Sequence, residues 1–183
     1  YGANQRAKAY IRREAFAPHY RADGGYIGLD PAYIWPSRIC WTEDVTNLWP
    51  GAYLCTCNGR PMAYGGATEG MYTQMGRERQ PDDFSHEQYL VLEEGGRRVV
   101  FSGCSHKGVC NIAAWLRPDV LIGGFHLRED AAPALVEQVG RRLLELGGIY
   151  YTCHCTSQGA YARLSEIMGE KLRRLRAGDV AEI

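Results

Sequence analysis

The chain has 183 residues, enough for one domain with a substantial core and too few for two comfortable ones, so a single domain over residues 1–183 is predicted. Its 21 basic residues equal its 21 acidic residues, and this neutral balance argues against a nucleic-acid or an anionic-membrane partner. No apolar run is long enough to cross a bilayer and no signal-like segment opens the chain, which predicts a cytoplasmic protein.

The first half of the chain carries weak secondary-structure patterns. Residues 7–12, 52–56 and 88–93 are predicted to form strands because they are rich in β-branched, aromatic and leucine side chains. Residues 64–83 contain glycine, methionine and glutamine without a convincing period, so they are predicted to form a loop.

The second half predicts strands that alternate with helices. Short apolar runs over residues 97–103, 119–124 and 149–153 predict buried strands. Apolar residues that recur every three or four positions predict three helices, marked by Val109, Ile112, Ala113 and Leu116; by Leu135, Val139, Leu143 and Leu146; and by Tyr161, Leu164, Met168, Leu172 and Leu175, with Gly178 as the last stop. This order indicates an α/β fold in which helices cover a parallel sheet.

Three of the five histidines directly follow the predicted parallel strands. The segment Cys104 to His106 follows the first strand, His126 follows the second, and His154 lies between two cysteines after the third. The carboxyl ends of parallel strands meet at one edge of a sheet, so we expect these side chains to lie together. Neutral imidazole is the commonest zinc ligand in proteins and thiolate often completes the shell, which predicts a metal site.

The same residue types also have structural interpretations. Free cysteine is usually buried packing, which is favoured for Cys40, Cys110 and the two C-x-C pairs, and an odd total of seven favours reduced thiols over disulfides. His19 is predicted to be solvated, whereas His86 precedes a strand and either caps it or reaches the site. A four-thiolate zinc site from the C-x-C pairs is disfavoured, because structural zinc pairs usually have roughly two to four residues between them.

Several motifs resemble a known family of hydrolases. FSGCSHKGVCNI, PDVLIGGFHL and YYTCHCTSQGAYARLSEIMGEKL, in that order, resemble the C-terminal half of the metallo-β-lactamase-fold hydrolases. They are most similar to the branch named for dihydropterin-methyl-aminobenzene-ribofuranosyl-phosphate synthase. AKAYIRREAFAPHY, YIGLD and DDFSHEQYLVLEE are also similar to that branch, so the resemblance spans nearly the whole chain.

The resemblance implies a fold, a cofactor and residue roles. The fold would be a metallo-β-lactamase-like αββα sandwich, of which this chain supplies the C-terminal two-thirds, and the reaction would be hydrolysis by metal-activated water. The cofactor would be a divalent transition metal, zinc foremost, with iron or manganese as alternatives. His154 matches the last metal-binding histidine, His106 is the next ligand candidate, and Cys104 falls where relatives keep a bridging aspartate or cysteine. His126 matches a position that assists proton transfer, so it is expected to be an acid/base or phosphate-contacting group.

The chain departs from the family pattern in one respect. The H-x-H-x-D-H motif that supplies the other ligands is not among these residues, and in the family it lies upstream of the segment that resembles AKAYIRREAF. The domain is therefore expected to be N-terminally incomplete. A sheet face left uncovered would be expected to bind the missing segment or a second copy of the chain.

Three functions follow from this reading. The first is a metal-dependent hydrolase, or a related transferase, acting on a small-molecule substrate such as a phosphorylated pterin- or sugar-like compound. The second is a non-catalytic, degenerate half-domain that serves as a binding or assembly module. The third, a thiol redox enzyme using Cys153 or Cys155, is disfavoured because C-x-C differs from the C-x-x-C of familiar dithiol enzymes.

Overall fold

The computed structural model of the protein describes residue 4 and residues 6–30, 35–66 and 69–182. The strands are β1 (Ala9–Ile11), β2 (His19–Arg21), β3 (Ile39–Trp41), β4 (Val45–Trp49), β5 (Ala52–Cys55), β6 (Met71–Met75), β7 (Glu78–Pro81), β8 (Tyr89–Glu94), β9 (Arg97–Phe101), β10 (Val120–Gly123), β11 (Ile149–Thr152) and β12 (Leu172–Arg174). The α-helices are α1 (Val109–Leu116), α2 (Pro133–Leu146) and α3 (Gln158–Met168). None of the helices found in these ranges has the length and apolar character needed to cross a membrane.

A seven-stranded sheet in the order β12-β11-β10-β9-β8-β5-β4 organises this α/β fold. Strands β9 to β12 run parallel, whereas β4, β5, β8 and β9 pair antiparallel. Two smaller sheets accompany it: the antiparallel sheet β2-β6-β7 and the parallel pair β1-β3. Helices α1, α2 and α3 each connect two strands that pair in parallel, as the geometry of a parallel crossover requires.

Helices α2 and α3 pack closely against each other. The buried face of α2 contains Val136, Gly140 and Leu143, and that of α3 contains Leu164 and Met168. A Cβ atom at residue 140 would lie 3.1 Å from Leu164 Cδ2, so glycine there allows the two helices to approach. The apolar side chains among these residues belong to one cluster with residues of β9, β10 and β11, so the helices and the parallel strands share a core.

The parallel strands end level with one another. Ile122 of β10 pairs with Phe101 of β9, and Gly123 pairs with Thr152 of β11. The three loops that follow β9, β10 and β11 therefore leave the sheet at the same edge, which is the edge that the sequence predicts for the site.

Most strand and helix predictions are confirmed. The predicted strands over residues 7–12, 52–56 and 88–93 correspond to β1, β5 and β8. The three predicted strands of the second half correspond to β9, β10 and β11, and the first two predicted helices correspond to α1 and α2. The structure ends most of these strands earlier than the sequence patterns do.

The predicted third helix is too long. Helix α3 ends at Met168, because Gly169 follows it with a φ of 53° in the left-handed region that terminates helices. Leu172 then lies in β12 and pairs with Tyr150 of β11, so the prediction of a helix that reaches Leu175 is wrong. The helical spacing persists past Met168 because Leu172, only 5% exposed, faces the same core from a strand.

The predicted loop over residues 64–83 is wrong in part. Strands β6 and β7 form an antiparallel hairpin within it, with Thr73 paired with Gln80. Every residue of β7 is exposed, so this strand lacks the alternation of apolar and polar residues that reveals a half-buried strand.

Replacing Leu172 by alanine tests the assignment of β12. We expect Leu172→Ala to lower the free energy of unfolding by about 3 kcal/mol, because it removes a buried leucine side chain and leaves a cavity. The matched control is Leu144→Ala on the exposed face of α2, where the loss should stay below about 0.5 kcal/mol. Urea denaturation measures both values, and equal losses would contradict a buried Leu172.

Candidate metal site

The loops after β9, β10 and β11 bring five potential metal ligands together. One ligand atom each from Cys104, His106 and His126 lies within 4.8 Å of the other two, and the same holds for Cys104, His154 and Cys155. We call these five residues the rim cluster. His106 and His154, which the sequence predicts to share an edge, are each within 4.8 Å of the same Cys104 sulfur atom.

The backbone of all three loops adopts an uncommon conformation next to these ligands. Ser105, His126 and His154 have φ values of 60°, 50° and 52°, in the left-handed region that residues other than glycine seldom occupy. Residues held in this region cost on the order of 1 kcal/mol or more and are concentrated at functional sites. Each of these residues lies within four positions of the end of a strand and is a candidate ligand or directly adjacent to one.

The loops after β10 and β11 are held against each other by close contacts. A Cβ atom at residue 124 would lie 2.4 Å from the Cys155 sulfur, so only glycine leaves room for this thiol. The backbone N–H of Phe125 donates to the Thr156 hydroxyl at 3.0 Å, and that hydroxyl also bonds to the Thr152 hydroxyl at 2.5 Å. These contacts fix the position of Cys155 relative to His126.

Glu87 holds the loop that carries His106. Its carboxylate accepts the backbone N–H of His106 at 2.7 Å, the backbone N–H of Lys107 at 3.1 Å and the hydroxyl of Tyr89 at 2.7 Å. Glu87 is buried, so these three donors compensate for the loss of water around its charge. Sequence analysis did not identify Glu87, because its contacts are with the backbone of residues 106 and 107, which are distant in the sequence.

The electrostatics of the rim cluster favour a thiolate on Cys104. Hydrogen bonding with the Cys155 thiol, and then with His106 and His126, lowers the pKa of Cys104 to about 2. The same hydrogen bond and burial raise the pKa of Cys155 well above its usual range, so Cys155 keeps its proton. The Cys155 thiol also has the Cys104 carbonyl oxygen as a second acceptor at 3.6 Å. One thiolate and one thiol therefore share this edge.

The imidazoles of the cluster lie against one another and against a buried phenylalanine. The ring centroids of His106 and His126 are 4.3 Å apart. The ring of Phe84 stacks on that of His106, with the two centroids 4.2 Å apart. The buried Nδ1 atom of His126 has no hydrogen-bond partner within the described parts of the chain. A buried polar atom without a partner is expected where an ion or a water molecule belongs.

The donor set fits a transition-metal ion. Thiolate and neutral imidazole are ligands that zinc prefers, and Cys104 is common to both groupings of the cluster. The unpartnered Nδ1 of His126 adds a further donor beside them. A single thiolate shared by two sets of ligands is also suited to bridging two ions.

An open pocket of about 530 Å³ lies beside His154. Its lining residues come from the loops after β10 and β11: Arg128, Glu129, Asp130, His154, Cys155, Thr156 and Ser157. Arg128 gives this pocket a cation near the ligands, and its side chain is 66% exposed. Sequence analysis did not single out Arg128, although it lies only two residues after His126.

The structure corrects one histidine prediction and informs two other sequence hypotheses. His19, predicted to be solvated, is only 6% exposed, and its Nδ1 lies 2.6 Å from a carboxylate oxygen of Asp82. His86, left open between capping a strand and reaching the site, lies beside His19 instead, with the ring centroids 4.4 Å apart. Among the described residues, no ligand grouping joins the Cys55/Cys57 pair to Cys153 and Cys155, so the disfavoured four-thiolate site finds no support.

Truncating Glu87 tests its role in positioning His106. We expect Glu87→Ala to lower the free energy of unfolding by about 2 kcal/mol, because it leaves buried donors unpaired. Metal affinity at the rim should fall by about ten- to a hundredfold, as for residues that orient ligands. Urea denaturation and metal titration measure the two effects. Exposed Glu94 provides the matched control, and a Glu94→Ala protein that loses as much affinity as Glu87→Ala would contradict this role.

Comparison with solved structures identifies the fold. The crystal structure of Tm1679, a metal-dependent hydrolase of the β-lactamase superfamily, is similar to this structure with a TM-score of 0.83 and 25% sequence identity, over 96% of this chain and 71% of that chain. Isothiocyanate hydrolase from Delia radicum gut bacteria matches with a TM-score of 0.49 and 12% identity, over 80% and 59% of the two chains, which is too distant to inform the site. No protein-family profile and no curated protein sequence matches the chain. The fold is that of the metallo-β-lactamase superfamily.

Proposed function

We propose that the protein is a metal-dependent hydrolase whose reaction takes place at the rim cluster. The observation that supports this most directly is the convergence of thiolate and imidazole ligands around Cys104, in a fold shared with a metal-dependent hydrolase. Zinc is the proposed ion, because the donors are nitrogen and sulfur atoms. A bound divalent ion would act as a Lewis acid and would lower the pKa of a water molecule bound to it toward neutral pH.

In this proposal Cys104, His106 and His154 hold the metal. Cys104 offers a thiolate at neutral pH, and the loop of His106 is fixed by the Glu87 carboxylate. His154 is the most exposed of the three and borders the open pocket, so it joins the metal position to the space where a substrate would bind.

His126 is proposed to move a proton rather than to hold the metal. Its ring lies 4.3 Å from that of His106, close enough for its nitrogen atoms to reach a reacting group at the same edge. Its buried Nδ1 has no hydrogen-bond partner in the described ranges, so that nitrogen remains available to accept or donate a proton.

The proposed substrate is a phosphorylated small molecule, such as a pterin- or sugar-like compound of the kind suggested by the resemblance to the dihydropterin branch. Arg128 supports an anionic substrate because its guanidinium lies in the pocket beside His154 and presents several donors to phosphate. Glu129 and Asp130 line the same pocket, and Asp130 lies 3.8 Å from Arg128 Nε, so a phosphate would bind to the remaining donors of the guanidinium. We further propose a cytoplasmic location, which suits the seven free cysteines.

Metal analysis of variants tests the ligand assignment, using protein expressed from its complete gene. Cys104→Ala and His154→Gln should each lose most of the zinc bound at the rim cluster and at least about a hundredfold in kcat, because each removes a ligand there. His126→Gln should keep its zinc and lose about a hundredfold in kcat, as expected for a proton-transfer group. Cys40→Ala, a half-buried cysteine of β3, is the matched control and should keep both. If wild-type protein purified without chelator holds no transition metal, a metal-dependent hydrolase is excluded and the binding-module alternative takes its place.

A second experiment tests the anionic substrate. Arg128→Gln should raise KM for a phosphorylated substrate about tenfold or more with little change in kcat, because the contact is made equally in the ground and transition states. Steady-state kinetics with phosphorylated and unphosphorylated esters measures this difference. Arg77→Gln, at an exposed position between β6 and β7, is the matched control. An unchanged KM in Arg128→Gln would exclude this arginine from substrate binding.

A further inference from the structure

A second group of potential ligands lies outside the rim cluster. One ligand atom each from His19, Asp82 and His86 lies within 4.8 Å of the other two. His19 begins β2, Asp82 directly follows β7, and His86 lies in the turn before β8. Phe84 separates this group from the rim, because its ring lies 5.4 Å from that of His86 and 4.2 Å from that of His106.

Both nitrogens of His19 face oxygen atoms. Nδ1 lies 2.6 Å from the Asp82 carboxylate, and Nε2 lies 3.3 Å from the carbonyl oxygen of Glu14. A neutral imidazole has only one N–H, so one of these contacts would bring two acceptors together. Both contacts are satisfied only by one additional cation, either a proton shared by the His19 ring and the Asp82 carboxylate or a metal ion between them.

His86 supplies a third donor that a simple His19–Asp82 pair does not need. Its buried Nδ1 has no hydrogen-bond partner in the described ranges and lies 3.9 Å from the second carboxylate oxygen of Asp82. This distance is too long for a hydrogen bond. The unpartnered Nδ1 of His86 can therefore donate its lone pair to a metal ion.

We propose that His19, Asp82 and His86 bind a divalent transition-metal ion at a site separate from the rim cluster. Two imidazoles and one carboxylate form a usual zinc ligand set, with the fourth position open to water. Metal–ligand distances of about 2.1 Å in a tetrahedral shell place neighbouring ligand atoms roughly 3.4 Å apart. With Asp82 Oδ2 as the ligand oxygen, the ion would therefore widen its 2.6 Å contact with His19 by less than 1 Å, and the Nδ1 of His86, now 3.9 Å from Asp82 Oδ1, would move toward the same ion.

An ion at this site would connect two of the sheets. His19 and Asp82 lie at the three-stranded sheet β2-β6-β7, whereas His86 leads into β8 of the seven-stranded sheet. An ion held by all three residues cross-links the two sheets next to the segment that carries Phe84 and Glu87. Binding to the folded state alone raises Tm, by roughly 5 °C or more at a hundredfold excess over Kd for a chain of this size.

Cobalt titration separates the two sites. Co²⁺ bound to the thiolate of Cys104 produces a sulfur-to-metal charge-transfer band in the near ultraviolet, whereas Co²⁺ bound by His19, Asp82 and His86 does not. Wild-type protein should therefore bind one equivalent that adds no charge-transfer absorption. If every equivalent of cobalt that the wild type binds adds charge-transfer absorption, the second site does not exist. This outcome can be observed with wild-type protein, without any variant.

Variants show which residues bind the equivalent of cobalt that adds no charge-transfer absorption. Asp82→Asn and His86→Gln should each bind one equivalent of Co²⁺ fewer than the wild type, with the charge-transfer band unchanged and the cobalt-dependent rise in Tm reduced. Asp83→Asn carries the same substitution on the exposed neighbouring carboxylate and should behave as the wild type. Full cobalt binding by both Asp82→Asn and His86→Gln would overturn the assignment. Cys104→Ala should lose the charge-transfer band, which tests the rim cluster, and should keep the equivalent of cobalt bound by His19, Asp82 and His86.

Discussion

The register of the parallel strands is the constraint on which the candidate site depends. Because Ile122 pairs with Phe101 and Gly123 with Thr152, the three strands end level and their loops leave one edge together. A shift of any strand by one residue would turn its side chains to the opposite face and would move its loop along the strand axis. Val100, Leu121 and Tyr150 pair across the three strands and are buried in one apolar cluster, which fixes that register, so the core of the fold also determines where the candidate ligands lie.

The rim cluster and the residues next to it have features that each destabilise a fold. Left-handed backbone at Ser105, His126 and His154 is strained, and a buried carboxylate at Glu87 has to be compensated by donors. The core behind the edge is conventional by contrast, with one apolar cluster shared by strands and helices. This distribution is expected when a well-packed scaffold tolerates local strain for the sake of ligand placement.

The sequence predicted the parallel half of the fold because there each local signal agrees with its environment. Strands β9, β10 and β11 each contain a run of at least three apolar residues, and helices α1 and α2 end before Pro and at Gly, so the apolar pattern and the helix-ending residues agree. Leu172 led to the prediction of too long a third helix, because a core leucine has the same spacing from Met168 whether the chain continues as a helix or enters a strand. That Cys104, His106, His126 and His154 lie at one edge of the sheet was predictable from their position after the strands, whereas their roles as ligands stay predictions. His19 and Glu87 were not predictable, because their burial depends on partners distant in the sequence, Asp82 for the one and the backbone of residues 106 and 107 for the other.

Phe84 connects the two histidine groups physically. It is buried, has a φ of 54° and stacks nearly parallel to His106, so its position is closely determined. An apolar ring between two polar groups excludes water from the space between them, and charges interact more strongly where water is excluded. Burial and then repulsion from His19 are the main causes that lower the pKa of His86, and repulsion from His106 acts in the same direction. A positive charge gained by either group therefore disfavours a positive charge on the other, and by thermodynamic linkage this effect is equal in both directions.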